Sequence, residues 1–214
     1  MLDTICDVLK AGYERGWITT RDGNASLRRR SQPWMYITPS AARKQSLTSE
    51  QMLKLLFVDN PPNVERPWED MPRADDEYQR RTLGWKPSGE LPMHWLLQNS
   101  SNTSNRVVLH LHPTYTVAAM RRGIELSSLV QDFPELGGFT KVGPNVPYIE
   151  PRTDVLGKAV YDAFNVQDDG MLSYDIVGVT GHGIVSVDID PWRAFEHCER
   201  LEHICQIVLA SGVY

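Results

Sequence analysis

Cysteine is scarce: the 214-residue chain carries three, Cys6, Cys198 and Cys205. An odd, sparse count builds no secreted disulfide framework and predicts a reducing, cytoplasmic setting. Cys198 and Cys205 lie seven apart on one helical stretch. No further thiol completes a metal set, so both read as core residues. Long apolar runs are missing too. No stretch approaches the roughly 18 residues that span a bilayer. The opening MLDTICDVLKAGYERG has neither the basic nor the apolar region of a signal peptide, so no membrane partner is expected. Positive charge is in deficit, with 22 Lys and Arg against 27 Asp and Glu and a net charge of −5. That balance is wrong for a phosphate-backbone binder, and no nucleic-acid partner is expected. The short run Arg28-Arg29-Arg30 reads as a solvated strand end. A Walker-type glycine–lysine loop and a strand-linked GxGxxG are both absent, which disfavours nucleotide binding. No repeat or low-complexity tract is visible.

What remains is an ordinary globular mix, 41% hydrophobic and 23% charged. It predicts one domain over residues 1–214 with a single sizeable core. Helical periodicity marks 2–15, and Gly23-Asn24 supplies a tight loop before a strand at 25–28. Strands are expected at 34–38 and 53–59, with a helix start at Thr48. Asn60 to Pro87 is proline-rich and weakly periodic. It reads as a long excursion that could hold one short helix at 75–83. A helix over 89–98, a strand over 106–111 and a helix from Pro113 to Met120 follow. Residues 126–142 read as irregular. Thr153-Asp154 should cap a helix reaching Phe164. Strands at 174–180 and 183–187 flank Gly181-His182-Gly183, and Asp190-Pro191 opens a long closing helix. Strands and helices interspersed in this way predict an α/β layered domain.

The sharpest chemical signal is His110-Leu111-His112. Side chains two apart on a strand share a face, so both imidazoles could grip one divalent ion. Two structural histidines, each bonded to a backbone carbonyl, would look the same. His182 sits between glycines in a strand-to-strand corner and could be a third ligand, since three histidines with one open position is a catalytic zinc pattern. Imidazole also suits other first-row ions. His94 reads as a packing or outer-shell group. His197 and His203, among the glutamates of the last helix, read as members of a solvated face. In Lys86-Pro87-Ser88-Gly89-Glu90, Ser88 can cap the next helix. Glu90, in its first turn, is favoured by the helix N-terminus. Gly23, Asn24, Ser40 and Ser88 could together cradle a phosphate, although each alone is a routine turn residue.

Taken in order, these stretches resemble the class II aldolase/adducin family. The likeness runs through Gly23-Asn24-Ala25-Ser26-Leu27-Arg28, Ile37-Thr38-Pro39-Ser40, Leu47-Thr48 and Lys86-Pro87-Ser88-Gly89-Glu90. It continues through Met93-His94, His110-Leu111-His112-Pro113, Gly181-His182-Gly183 and the closing helix from Trp192 past Glu199 and Glu202. The resemblance implies a three-layer α/β/α fold with a central, mainly antiparallel sheet. It implies a homotetramer with active sites between subunits and a divalent ion on His110, His112 and His182, zinc first, with manganese or cobalt as alternatives. Glu90 matches the acid/base, and Gly23, Asn24, Ser40, Ala41, Ser88 and Gly89 match the substrate-phosphate loops. Two positions depart from the pattern: Ala41 and Gly89 stand where the family often has glycine and a second serine. Tyr214 is the candidate for a tyrosine that family aldolases take from a neighbouring subunit.

The activity implied is retro-aldol cleavage of a phosphorylated or similarly anionic ketose through a metal-stabilised enediolate. Glu90, where the family's 4-epimerases usually carry aspartate, tilts the expectation toward aldolase. Epimerase, dehydratase and decarboxylase remain as alternatives, as does a non-catalytic binding module of the adducin type. Residues 60–87 are expected near the site entrance.

Overall fold

The computed structural model describes residues 1–57, 85–100 and 104–212. Most of the expected 60–87 excursion, including its 75–83 helix, therefore lies outside the described residues, as does Tyr214. The helices are α1 (Leu2–Glu14), α2 (Leu91–Asn99), α3 (Thr114–Arg121), α4 (Leu129–Asp132), α5 (Pro134–Phe139), α6 (Asp154–Ala163) and α7 (Pro191–Ser211). The strands are β1 (Asn24–Arg28), β2 (Trp34–Ile37), β3 (Leu53–Leu56), β4 (Arg106–Leu111), β5 (Ile176–Val179) and β6 (Gly183–Asp188). They form a six-stranded sheet in the order β3-β2-β1-β4-β6-β5. Every pairing is antiparallel.

β4 shows why the sheet is covered on both sides. Val107, Leu109 and Leu111 point into a core shared with α1, α3 and α7. Val108 points the other way, into a core with Met93 and Leu97 of α2 and Leu156 and Val160 of α6. Both faces of a strand alternate at period two, so helices on each side are needed to bury it, and the result is the expected α/β/α layering. His110 shares the face of Val108. The caps predicted for two helices are present. Thr153 Oγ1 accepts from the Leu156 N–H at 3.2 Å, and Asp190 Oδ1 accepts from the N–H groups of Trp192 and Arg193. All three cysteines are free and buried.

Four expectations are corrected. Residues 126–142 are not simply irregular: a 3-10 turn at Leu126–Ser128 leads into α4 and α5. Leu126, Leu129 and Leu136 are fully buried, and the break at Phe133-Pro134 hides their helical spacing. The helix expected at Thr48 is one 3-10 turn closed by a Thr48/Gln51 capping box, because the chain turns at once into β3. Arg28 is buried rather than solvated. Its guanidinium donates to the Gln98 carbonyl at 2.8 Å, and Arg106 donates to Leu97. Two cations thus satisfy the orphan carbonyls at the C-terminus of α2. Arg29, Arg30 and His203 are exposed as expected. His197 is not: it is buried between the Thr140 hydroxyl at 3.0 Å and Asp188 Oδ2 at 3.3 Å.

The closing helix also orders the end of β4. Glu202 of α7 is buried, and its carboxylate accepts from the N–H groups of Tyr115 and Thr116 and from the Thr116 hydroxyl, at 2.7–2.9 Å. It replaces the missing side-chain cap of α3, which starts directly after His112-Pro113. Glu202→Ala strands those buried donors and should cost about 1–3 kcal/mol, measured by urea unfolding against wild type. An unchanged midpoint would exclude this role.

Candidate active site

His110 projects from the end of β4, and His112 follows two residues later on the same face. β6 pairs with β4 so that Val185 lies beside His110 and Ile184 beside Leu111. The turn from β5 therefore places His182 against both. Gly183 makes this possible, since a Cβ there would stand 2.3 Å from the Leu111 carbonyl oxygen and 2.7 Å from the His112 ring. The three rings converge: His110 Nε2 is 3.0 Å from His112 Nε2 and 3.3 Å from His182 Nε2.

The tautomer of His110 follows from its other nitrogen. Nδ1 donates to the Ile184 carbonyl at 2.8 Å, so Nε2 presents a lone pair. Burial holds all three imidazoles below the ordinary histidine value. His112 falls to about 4, and neighbouring imidazoles add to the effect on His110 and His112, as Arg152 does on His182. Neutral imidazole is the ligand form. Three nitrogens bonded to zinc at 2.0–2.1 Å in a tetrahedron stand about 3.3–3.4 Å apart. His110, His112 and His182 form a cluster that could hold a metal ion, with ligand atoms within 4.8 Å of one another, and the donor set fits zinc or another first-row divalent ion.

These rings line a cavity of about 400 Å³ together with Glu90. Glu90 is 7% exposed and is the N-cap of α2, one position before the helical residues rather than inside the first turn. Its N–H donates to Ser88 Oγ at 3.3 Å. Burial raises the Glu90 carboxyl above its ordinary value, opposed by the backbone N–H and positive charge of Arg152. Gly23, Asn24, Ser40, Ala41, Ser88 and Gly89 line the same cavity, so the loops singled out in the sequence do meet. Gly23 has the left-handed backbone expected of it, at φ +66°, and Ala41 has it too, at φ +58°.

A buried chain of side chains sets the direction of Asn24. Gln98 donates to Ser26 Oγ at 2.8 Å, Ser26 Oγ donates to His94 Nδ1 at 2.8 Å, and His94 Nε2 donates to Asn24 Oδ1. Asn24, held through its Oδ1, lines the cavity. His94 is fully buried, and desolvation drops it to about 3. Sequence reasoning placed His94 as a packing or outer-shell group and did not assign several cavity residues to the site, among them the charged Arg21, Asp22, Lys44, Glu150 and Arg152. Lys44 is 1% exposed, with Nζ donating to the carbonyls of Arg21 and Ala42.

Residues 3–209 match the family described as Class II Aldolase and Adducin N-terminal domain. The chain belongs to this family. A methylthioribulose-1-phosphate dehydratase of Aspergillus niger is 30% identical over 226 residues, covering 96% of this chain and 84% of that protein. A Nocardia farcinica protein named Probable bifunctional methylthioribose-1-phosphate isomerase/methylthioribulose-1-phosphate dehydratase is 24% identical over 206 residues, 94% of this chain. The chain spans only about a third of that protein's length, 34%. The fold is shared with the L-fuculose-1-phosphate aldolase of Thermus thermophilus, with a TM-score of 0.73 and 20% identity over 99% of this chain and 94% of that one.

As a class II aldolase family member, this chain departs from the expected loop pattern at Ala41. An alanine in the left-handed region carries about 1–2 kcal/mol of strain, partly offset in a glycine variant by backbone entropy. Ala41→Gly should therefore raise stability by about 0.5–1 kcal/mol, and a loss in thermal or urea unfolding would refute this. His94 gives a pH prediction. Unfolded histidine takes a proton near 6.5, whereas folded His94 resists until about 3. Its contribution is intact above the unfolded value and drains away as pH falls toward 3. Between pH 7 and 5, wild type should lose about 2 kcal/mol more than His94→Gln. Parallel urea curves for the two proteins at both pH values would contradict the assignment.

Proposed function

We propose that this chain is a divalent-metal-dependent lyase acting on a phosphorylated ketose through an enediolate of the carbonyl carbon and its neighbour. The observation that carries the reading is the convergence of the His110, His112 and His182 Nε2 atoms in one cavity with the buried carboxyl of Glu90. A divalent ion on the three histidines would supply Lewis-acid polarisation of the substrate's carbonyl and hydroxyl oxygens. Glu90 is the acid/base: burial raises its affinity for a proton, the direction that proton exchange at the enediolate carbon calls for. The Arg152 backbone N–H and the Ser88 hydroxyl hold the Glu90 segment in place. Asn24, fixed by His94, and the Gly23, Ser40, Ala41, Ser88 and Gly89 loops are the candidate phosphate cradle.

Two bond-breaking steps lead through the same enediolate. In retro-aldol cleavage of a ketose 1-phosphate, the C4 hydroxyl gives its proton to solvent, the C3–C4 bond breaks to release an aldehyde, and protonated Glu90 delivers a proton to C3. In dehydration, Glu90 removes the C3 proton and returns it to the C4 hydroxyl, which leaves as water, giving a 2,3-diketone after tautomerisation. The Glu90-centred geometry serves either. The 30% identity to a methylthioribulose-1-phosphate dehydratase supports dehydration as the second reading.

The domain is taken as one unit over 1–214, assembling as a homotetramer with sites at subunit boundaries. His182 Nδ1 supports this, being buried without a hydrogen-bond partner among the described residues. So does Tyr148, 64% exposed and within 4.0 Å of the space beside Gly181. Among the described residues no helix is long and apolar enough to cross a membrane.

The test is metal analysis of purified protein with products from a panel of ketose 1-phosphates, methylthioribulose 1-phosphate included. Dihydroxyacetone phosphate plus an aldehyde identifies retro-aldol cleavage; a diketo phosphate identifies dehydration. His110→Ala should lose both ion and turnover, the latter by about 10³-fold or more. Glu90→Gln should keep the ion and lose turnover. For dehydration Glu90 must be ionised to take the C3 proton, so activity falls as pH drops through its value, which lies above the ordinary 4.5. Full activity in His110→Ala would sink the metal-dependent reading, and a wild-type protein that binds no divalent ion and turns over none of the panel would leave a binding module.

A further inference from the structure

Gly89 and Arg152 occupy one space. A Cβ on residue 89 would lie 2.7 Å from Arg152 Cδ, 2.9 Å from Cγ and 3.2 Å from Nε. The arginine stem therefore crosses the turn just before Glu90 and depends on glycine at 89. Arg152 also has left-handed backbone, at φ +65°, a conformation that disfavours every residue but glycine. Strain of this kind at a cavity rim persists only where its surroundings impose it. No hydrogen bond or salt bridge engages the guanidinium among the described residues, although its side chain lines the cavity.

A second cation reaches the same space. Lys44 has two of its three N–H donors on the Arg21 and Ala42 carbonyls, and the residue lines the cavity. Ser88 Oγ accepts from the Glu90 N–H, leaving its own proton to donate, and the Ser40 hydroxyl lines the same wall. A planar guanidinium, an ammonium and two hydroxyls are donors suited to an oxyanion, and Arg21 lines the same cavity together with the carboxylates of Asp22 and Glu150.

We propose that Arg152 clamps the anionic group of the substrate, standing in for a hydroxyl donor at position 89, with Lys44 as the second cation. The chemistry is that of a phosphate or a carboxylate. The assignment of that anion to the substrate rests on the ketose-phosphate reading above.

The experiment titrates inorganic phosphate, and separately acetate, into the protein as purified and reads binding by calorimetry. Phosphate should bind wild type. Arg152→Gly should weaken it at least tenfold while the melting temperature without ligand stays level or rises, because glycine relieves the strained backbone and keeps the N–H that faces Glu90. Arg152→Lys should lose less, a few-fold, and Gly89→Ser should displace the arginine and weaken phosphate without removing a charge. Binding of acetate in place of phosphate, with the same dependence on Arg152, assigns a carboxylate. Wild-type affinity in Arg152→Gly overturns the clamp, as does a protein that binds neither anion at 10 mM or below. A fall in melting temperature with unchanged affinity assigns Arg152 a structural role and also overturns it. Arginine-dependent phosphate binding without turnover of any ketose phosphate would sink the lyase reading alone; turnover with an indifferent Arg152→Gly would sink the clamp alone.

Discussion

The hydrogen bond from His110 Nδ1 to the Ile184 carbonyl crosses from one strand to its neighbour, and it decides what the cavity can hold. Once that proton is committed to the backbone, the opposite nitrogen can only offer electrons. His112 and His182 stand at 3.0 and 3.3 Å from it. Neutral rings at that distance gain from a cation among them. The register of β4 on β6 supplies the carbonyl, and Gly183 keeps the strand backbones close enough for it to be reached. Behind the same strand end, Glu202 on α7 ties down the helix that begins at Thr114. The placement of these rings follows from sheet pairing and helix capping around the short β5–β6 turn that carries His182.

Unfavourable features gather around the cavity. Ala41 and Arg152 hold backbone conformations that suit glycine, Glu90 is a carboxyl taken out of water, Lys44 is an almost wholly buried amine, and His94 is kept neutral. Of the four non-glycine residues at positive φ among the described residues, Ala41 and Arg152 fall at the cavity and Ser31 and Asn165 do not. Strained and desolvated groups gathered at one cavity are an expected mark of a working site.

Much of this was legible in the residues because it is local. His110 and His112 share a face by strand periodicity, and the helix caps depend on neighbours three residues away. His182 joined them only through its glycine corner and the family likeness, since 70 residues of chain separate it from His112. Lys44 and Arg152 gave no signal: burial of one and positive φ of the other are set by distant segments. His197 and Arg28 were misread for the same reason, their polar partners being Thr140 with Asp188 and the end of α2. The helices between 129 and 139 escaped because each is too short to show a period.

The buried cysteines have a practical consequence. Desolvation pushes Cys6 up to about 11 and Cys205 up to about 12, and Cys198 well above its ordinary value. Thiolate is the reactive species, so at neutral pH all three are poor nucleophiles as well as being screened from solvent. A single cysteine introduced on the surface would be the preferred target for a maleimide dye or spin label, with no native residue removed first.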